Sequence, residues 1–247
     1  MSRARISQLM TEWFEEWFGE DYLALYPHRD QAEADRLVAL IQHSVGWRAG
    51  WRVLDVGCGA GRHARALEAA GARCFGLDLS AALLRRARGM TEAPLIRADM
   101  RVLPIRSASM DLTVNLFTSF GYFANDAEHA DAIREMADTL RPGGWLALDF
   151  LNAKRIRDAL VPSESAEIGG VEVAVSRALT EHGRFVEKTI AIADGRSYLE
   201  RVRLFEAADL RKMFEAAGLH VRHSFGDYTG APLSAGAPRV VLLGRKS

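Results

Sequence analysis

Cysteine is scarce: Cys58 and Cys74 are the two in 247 residues. They form neither a C-x-x-C pair nor a zinc-ligand spacing, which excludes a disulfide framework and a cysteine-based metal knuckle. Both read as free thiols of a reducing compartment. Surplus charge is missing too, since 32 Lys plus Arg meet 32 Asp plus Glu. A broad nucleic-acid footprint needs clustered basic excess, so no nucleic-acid partner is expected. No apolar run approaches the roughly 20 residues that cross a bilayer. Residues 1–19 lack the apolar core of a secretory signal, being interrupted by Glu12, Glu15 and Glu16. The expectation is a cytoplasmic protein with no membrane partner. His182, His220 and His223 have no ligand spacing, so no metal is expected, and no repeat or low-complexity segment occurs.

What remains is an ordinary globular composition, 49% hydrophobic and 26% charged. The length suits one large domain or a domain with an insertion. The most informative stretch runs from Val53 to Arg62. Val53, Leu54 and Val56 make a short apolar run, as for a parallel strand covered on both faces. Gly57, Gly59 and Gly61 follow, free to take positive φ and to let a ligand approach without a Cβ in the way. A helix starting near Gly61 points the positive end of its dipole at that ligand. The dinucleotide fingerprint G-x-G-x-x-G would need a third glycine where Arg62 stands, so the spacing argues against a nicotinamide cofactor. Asp55, at the strand end, is placed to meet a charged or amine-bearing part of the ligand.

Residues 1–50 read as helical, with Trp13, Phe14, Trp17 and Phe18 forming an aromatic stripe that packs on the main domain, roofs a substrate, or both. From Arg52 strands and helices alternate. Strand two is Arg73 to Leu77, ending in Asp78, and Ser80 caps the next helix. Strand three is near Leu95 to Ala98, strand four Leu112 to Leu116. A helix from about Asp126 to Leu140 is broken by Pro142-Gly143-Gly144, and strand five is Trp145 to Phe150. This is the pattern of a doubly wound parallel sheet. From about Ile168 to Phe205 the period becomes two, with turn signals at His182-Gly183 and Asp194-Gly195, so a three-stranded antiparallel meander is expected. A helix from about Ala207 to Ala217 and two closing strands follow. The domain reading is a helical lid or cap over 1–50, an α/β core over 51–165 and 206–247, and a β insertion over 166–205.

The segment Val53 to Gly61 resembles motif I of the class I S-adenosylmethionine (SAM) methyltransferases. The resemblance extends to Asp78 after strand two, Asp99-Met100 after strand three, Asn115 through Phe123 after strand four, and Leu140-Arg141-Pro142-Gly143-Gly144 before strand five. Phe120 to Phe123, the insertion and Gly226-Asp227-Tyr228 are further similar to a bacterial subgroup acting on small molecules, as is Leu25 to Arg29 near the start. The resemblance implies a mostly parallel seven-stranded sheet of order 3-2-1-4-5-7-6 with the seventh strand antiparallel. It implies SAM as cofactor and S-adenosylhomocysteine (SAH) as product. The implied cofactor residues are Asp55, Gly57, Cys58, Gly59, Gly61, Arg62, Asp78, Leu79, Asp99, Met100 and Asn115. Asp78 would take the ribose hydroxyls, Asp99 the adenine amino group, Met100 the adenine face and Arg62 the cofactor carboxylate.

One departure matters. Methyltransferases of DNA base amino groups usually carry Asp/Asn-Pro-Pro-Tyr after strand four, whereas Asn115 is followed by Leu116 and Phe117. The expected reaction is in-line methyl transfer to an unidentified small-molecule acceptor, in which proximity and orientation do most of the work. A general base is needed only if the acceptor arrives protonated. The weak candidates are Tyr22, Tyr26, His28, Asp227 and Tyr228, while His63 and His129 read as structural. A SAM-binding sensor or partner protein without turnover is the alternative. The expected state is monomer or homodimer, with the insertion either covering the substrate or making the dimer contact.

Overall fold

The computed structural model describes residues 12–26, 30–168 and 170–247. Two short helices, α1 (Trp13–Trp17) and α2 (Glu20–Leu25), precede α3 (Gln31–Val45). Asp30 starts α3 by accepting the Ala32 amide at 2.8 Å, and Gly46 ends it in the left-handed region. The core then alternates β1 (Arg52–Val56), α4 (Arg62–Ala69), β2 (Arg73–Asp78), α5 (Ala81–Ala87), β3 (Leu95–Arg97), β4 (Met110–Asn115), α6 (Asp126–Thr139) and β5 (Leu140–Leu151). A short α7 (Ala153–Asp158) leads to β6 (Ser163–Ile168), β7 (Val171–Thr180), β8 (Phe185–Ile192) and β9 (Ser197–Arg203). The chain closes with α8 (Ala207–Ala216), β10 (Leu219–Phe225) and β11 (Arg239–Lys246).

The main sheet has seven strands in the order β10-β11-β5-β4-β1-β2-β3, with β11 antiparallel to both neighbours. This is the expected 3-2-1-4-5-7-6 arrangement. Its central strands are buried on both faces, and the period of two deals their side chains alternately to two cores. Leu54, Val56, Leu146, Leu148 and Leu242 face Ile133 and Met136 of α6. Val53, Leu112, Val114, Ala147 and Leu243 face Leu37 and Ile41 of α3 and Leu67 of α4.

The antiparallel insertion differs from expectation: it has four strands, in the order β6-β7-β8-β9, and spans 163–203. β6 reads Ser-Glu-Ser-Ala-Glu-Ile and is exposed along nearly its whole length, so it carries no apolar alternation to detect. The glycine pair before strand five interrupts less than expected as well. β5 already begins at Leu140, and a register shift between Met110 and Leu112 absorbs the irregularity.

The insertion packs back on the N-terminal segment. Val173, Val175, Ile190 and Ile192 of its inner face surround Trp17 and Leu25. Phe14, three residues before Trp17, joins the main core instead. The aromatic stripe thus bridges the two sheets. Among the described residues, no helix is long and apolar enough to cross a membrane.

Candidate active site

The site begins with the turn after β1. Gly57, Gly59 and Gly61 have φ of 74°, 55° and 90°. The amides of Gly57 and Cys58 donate to Leu77 O at 2.7 and 3.0 Å, stapling the turn to β2. The Gly59 amide donates to Asp78 Oδ2 and the Ser80 amide to Asp78 Oδ1, each at 2.8 Å. A Cβ on Gly57 would stand 2.7 Å from the Ser119 Cβ, so glycine is obligatory there. The end of β4 buttresses the turn from below: Asn115 Nδ2 donates to Val56 O at 2.9 Å, and Ser119 Oγ lies 3.2 Å from Gly57 O.

The turn opens on a cavity of about 1180 Å³. Gly57, Cys58, Gly59, Arg62, Asp78, Leu79, Asp99 and Met100 line one part of it. Tyr22 and Tyr26 of α2, with Arg177, Lys188 and Glu200 of the antiparallel sheet, line another. Asp55, Gly61 and Asn115 do not reach this surface. Asp55 and Asn115 are buried beneath the turn, and Asp55 Oδ2 and Asn115 Oδ1 have no hydrogen-bond partner among the described residues. A Cβ on Gly61 would press on Ala87 and Thr91 at 3.1 and 3.2 Å, which makes it a helix-packing position.

Burial, with the charge of Asp78 adding, pushes the Asp55 carboxyl up to about 7. Burial also raises Asp78, against the backbone hydrogen bonds that favour its charged form. Asp99 behaves oppositely. Burial works to raise it, but the Arg101 guanidinium, which grips it through Nε and Nη2, holds its carboxyl below the ordinary range. Arg101 also reaches Glu12 at 3.3 Å and Glu128 at 3.1 Å. It therefore ties the N-terminal segment to the end of β3, a role that no motif signalled.

Arg62 lies on the cavity wall, where its guanidinium stacks 4.2 Å from the Phe117 ring centroid. It donates to Asp30 O at 3.0 Å and to Glu33 at 3.2 Å. Phe117 and the next residue, Thr118, both have left-handed backbones, φ 58° and 61°. The buried Asp149 holds them there, accepting the Phe117 amide on Oδ2 at 2.8 Å and the Thr118 amide on its main-chain oxygen at 3.0 Å. Asp149 also accepts from Arg239 Nε at 2.8 Å and from Tyr228 Oη at 2.7 Å.

Of the candidate bases, Tyr22 and Tyr26 face the cavity. Tyr26 Oη accepts from Lys188 Nζ, and Glu200 accepts from Lys188 at 3.1 Å and from Trp17 Nε1 at 2.6 Å. Tyr228 and Asp227 are not on the cavity surface, which corrects the sequence expectation. Tyr228 is a donor to Asp149, and burial pushes its hydroxyl well up, with the Asp149 charge adding. Asp227 accepts from Thr229 and Ala231 of its own loop. His28 lies outside the described residues. His63 and His129 are buried on α4 and α6. Sequence reading missed Arg177 and Lys188. The signal was present in Val171, Val173, Val175 and Arg177, where a cation falls in phase with the buried Val173 and Val175.

A methyltransferase-domain family profile matches residues 53–144. The chain is 30% identical over 196 residues to dTDP-3-amino-3,4,6-trideoxy-alpha-D-glucopyranose N,N-dimethyltransferase of Streptomyces venezuelae, covering 75% of this chain and 82% of that protein. It is 30% identical over 230 residues to dTDP-3-amino-3,6-dideoxy-alpha-D-glucopyranose N,N-dimethyltransferase of Streptomyces fradiae, covering 89% and 86%. A SAM-bound amino pentose methyltransferase of calicheamicin biosynthesis from Micromonospora echinaspora superimposes with a TM-score of 0.72 at 26% identity, over 92% of this chain and 97% of that one. The glycine turn, the strand order and these relatives agree: the chain belongs to the class I SAM-dependent methyltransferases.

Proposed function

We propose that the protein methylates the amino group of a small-molecule acceptor of the amino-sugar type. The observation that carries this reading is the continuous cavity joining the glycine turn to the antiparallel sheet, with room for two ligands side by side. Two relatives that span most of the chain act on amino sugars by name. Bound SAM supplies a methyl group activated on a cationic sulfur.

The chain's own residues fit that cofactor. Gly57 and Gly59 present no side chain at the turn, and the carboxylate of Asp78 stands fixed at the cavity wall to accept ribose hydroxyls. Asp99 is kept ionised by Arg101, as an acceptor for an adenine amino group requires, with Met100 beside it. Asp55, buried beneath the turn, supports it from below rather than touching the cavity. Arg62 serves the cofactor's carboxylate from the cavity wall.

On the acceptor side the antiparallel sheet and helices α1 and α2 close over the substrate, so positioning supplies the larger share of the acceleration. An amine that arrives protonated loses that proton to water, and Tyr22 and Tyr26, the candidates on the cavity surface, orient the neutral amine by accepting its N–H.

Calorimetric titration of SAM and SAH tests the cofactor part. The Asp78→Ala variant should bind both at least about ten-fold more weakly, since it removes hydrogen bonds to a charged acceptor. Unchanged affinity would sink the ribose assignment. Incubation with labelled SAM and a dTDP-linked 3-amino sugar tests the acceptor. Label on the sugar nitrogen supports the reading, and no label on that amine refutes it.

A further inference from the structure

The inner face of the antiparallel sheet is apolar where it meets α1 and α2, with Val173 and Val175 on β7 and Ile190 and Ile192 on β8. Two residues further along, in the same phase, β7 places Arg177 directly opposite Lys188 of β8. Their side chains are 22% and 19% exposed, and both line the cavity. Like charges facing each other across an antiparallel pair destabilise it, with Cβ atoms only about 5 Å apart. An apolar face has no use for such a pair, and the cavity gives it one.

Each cation has one carboxylate beside it, which balances the charge but leaves N–H donors over. Glu200, opposite Lys188 on β9, is bonded to Lys188 and to Trp17. Glu164, half exposed at the rim, takes one nitrogen of Arg177, and Val161 O stands 3.5 Å from another. Arg177 has five N–H groups and Lys188 has three. Two acceptors are recorded for each of them, so donors remain on both for a group in the cavity.

We propose that Arg177 and Lys188 form a phosphate subsite, and that the acceptor is a phosphorylated small molecule, the class that includes nucleoside-diphosphate sugars. The proposal rests on the small-molecule acceptor reading above and gives it a charge. Two adjacent cations suit a phosphoryl group, with its several oxygens and up to two charges, better than the single charge of a carboxylate. Cofactor and phosphate then occupy opposite walls of one cavity. The apolar side chains of Val186 and Val202, which neighbour the charged row, line the space beside it.

The test is calorimetric titration of dTDP, inorganic pyrophosphate, galacturonate and thymidine into the SAH-loaded protein. dTDP should bind, pyrophosphate should compete with it, and thymidine and galacturonate should bind at least about ten-fold more weakly. Affinity for dTDP should fall with ionic strength. It should drop about ten-fold or more in Arg177→Gln and in the Lys188→Gln/Glu200→Gln double variant, which leaves no stranded carboxylate. SAH affinity in both should match the wild type. Arg177→Lys, which keeps the charge, should retain most of the dTDP affinity, and if the neutral variants fail to bind SAH, the salt dependence and pyrophosphate competition of the wild type carry the test. Thymidine binding as well as dTDP, failure of both phosphate probes, galacturonate binding in their place, or neutral variants that bind dTDP like the wild type would each overturn the subsite. Failure of the wild type to bind SAH is a different result, and it strikes the cofactor site alone.

Discussion

Replacing Asp149 by asparagine should be among the costliest single changes in the chain. The carboxylate is fully buried on β5, and three donors converge on it within 2.8 Å: Arg239 Nε, Tyr228 Oη and the Phe117 amide. The asparagine side chain would keep one acceptor oxygen and turn an amide N–H₂ toward a group that itself donates. It would also strand the Arg239 guanidinium, whose side chain is 19% exposed. Breaking a buried ion pair from one side costs about 3–5 kcal/mol, and the partial exposure of Arg239 argues for the lower end, about 3. The Phe117 amide would lose its anchor as well. Phe117 and Thr118 each hold a left-handed backbone that disfavours L-residues by about 1–2 kcal/mol, so the loop would relax and shift the cavity wall. Urea unfolding of Asp149→Asn against the wild type reads the stability, and SAH titration reads the wall. The control is Asp131→Asn, which breaks the exposed i,i+3 pair with Arg134 and should cost about 0–1 kcal/mol. A loss for Asp149→Asn no larger than that of the control would refute the account of Asp149 as the hub of this wall.

The buried Asp55 should leave a mark on the pH dependence of stability. Its folded pKa is raised to about 7 from 3.8, so the native chain holds a proton there that the unfolded chain releases. That contribution is complete below about pH 4 and is lost as the pH rises through about 7. Asp55→Asn should abolish it, and a wild-type-minus-variant unfolding energy that stays constant between about pH 4 and pH 8 would contradict the assignment. The glycine turn offers a paired comparison. Gly57→Ala and Gly59→Ala both force alanine to positive φ, at about 1–2 kcal/mol. A Cβ on Gly57 also meets Ser119 at 2.7 Å, whereas one on Gly59 has nothing nearer than Leu83 at 3.9 Å. Gly57→Ala should therefore lose about 1–3 kcal/mol more in chemical denaturation, and equal losses would show that Ser119 simply moves aside.

Much of the core was legible because its signals are local. The run Val53 to Val56, the glycines after it and the acid ending β2 sit within about thirty residues, and each has a direct physical meaning in one strand–turn–helix unit. The seven-strand order came through a resemblance, and the pairings of β11 with β5 and β10 agree with it. What escaped was long-range. Nothing near Asp99 tells that Arg101 would also hold Glu12 and Glu128, because those partners lie 89 and 27 residues away in sequence. Tyr228 follows a recognisable Gly-Asp pair, yet its partner Asp149 is 79 residues distant, so its role as a buried donor could not be read from its neighbours. Arg177 was visible as a break in the apolar phase, but its meaning depended on Lys188 standing opposite.

β6 has the last consequence. It forms the outer edge of its sheet, with Ser163 to Glu167 exposed and glutamates at 164 and 167. A free edge offers a row of unsatisfied amides and carbonyls to which a further strand from any neighbouring molecule can add. Carboxylates along that border repel a second copy of the same strand, and the absence of apolar side chains larger than alanine from Ser163 to Glu167 removes the reward for stacking on it. The polarity that hides β6 from a search for alternation therefore also guards the sheet against growing, chain by chain, into an aggregate.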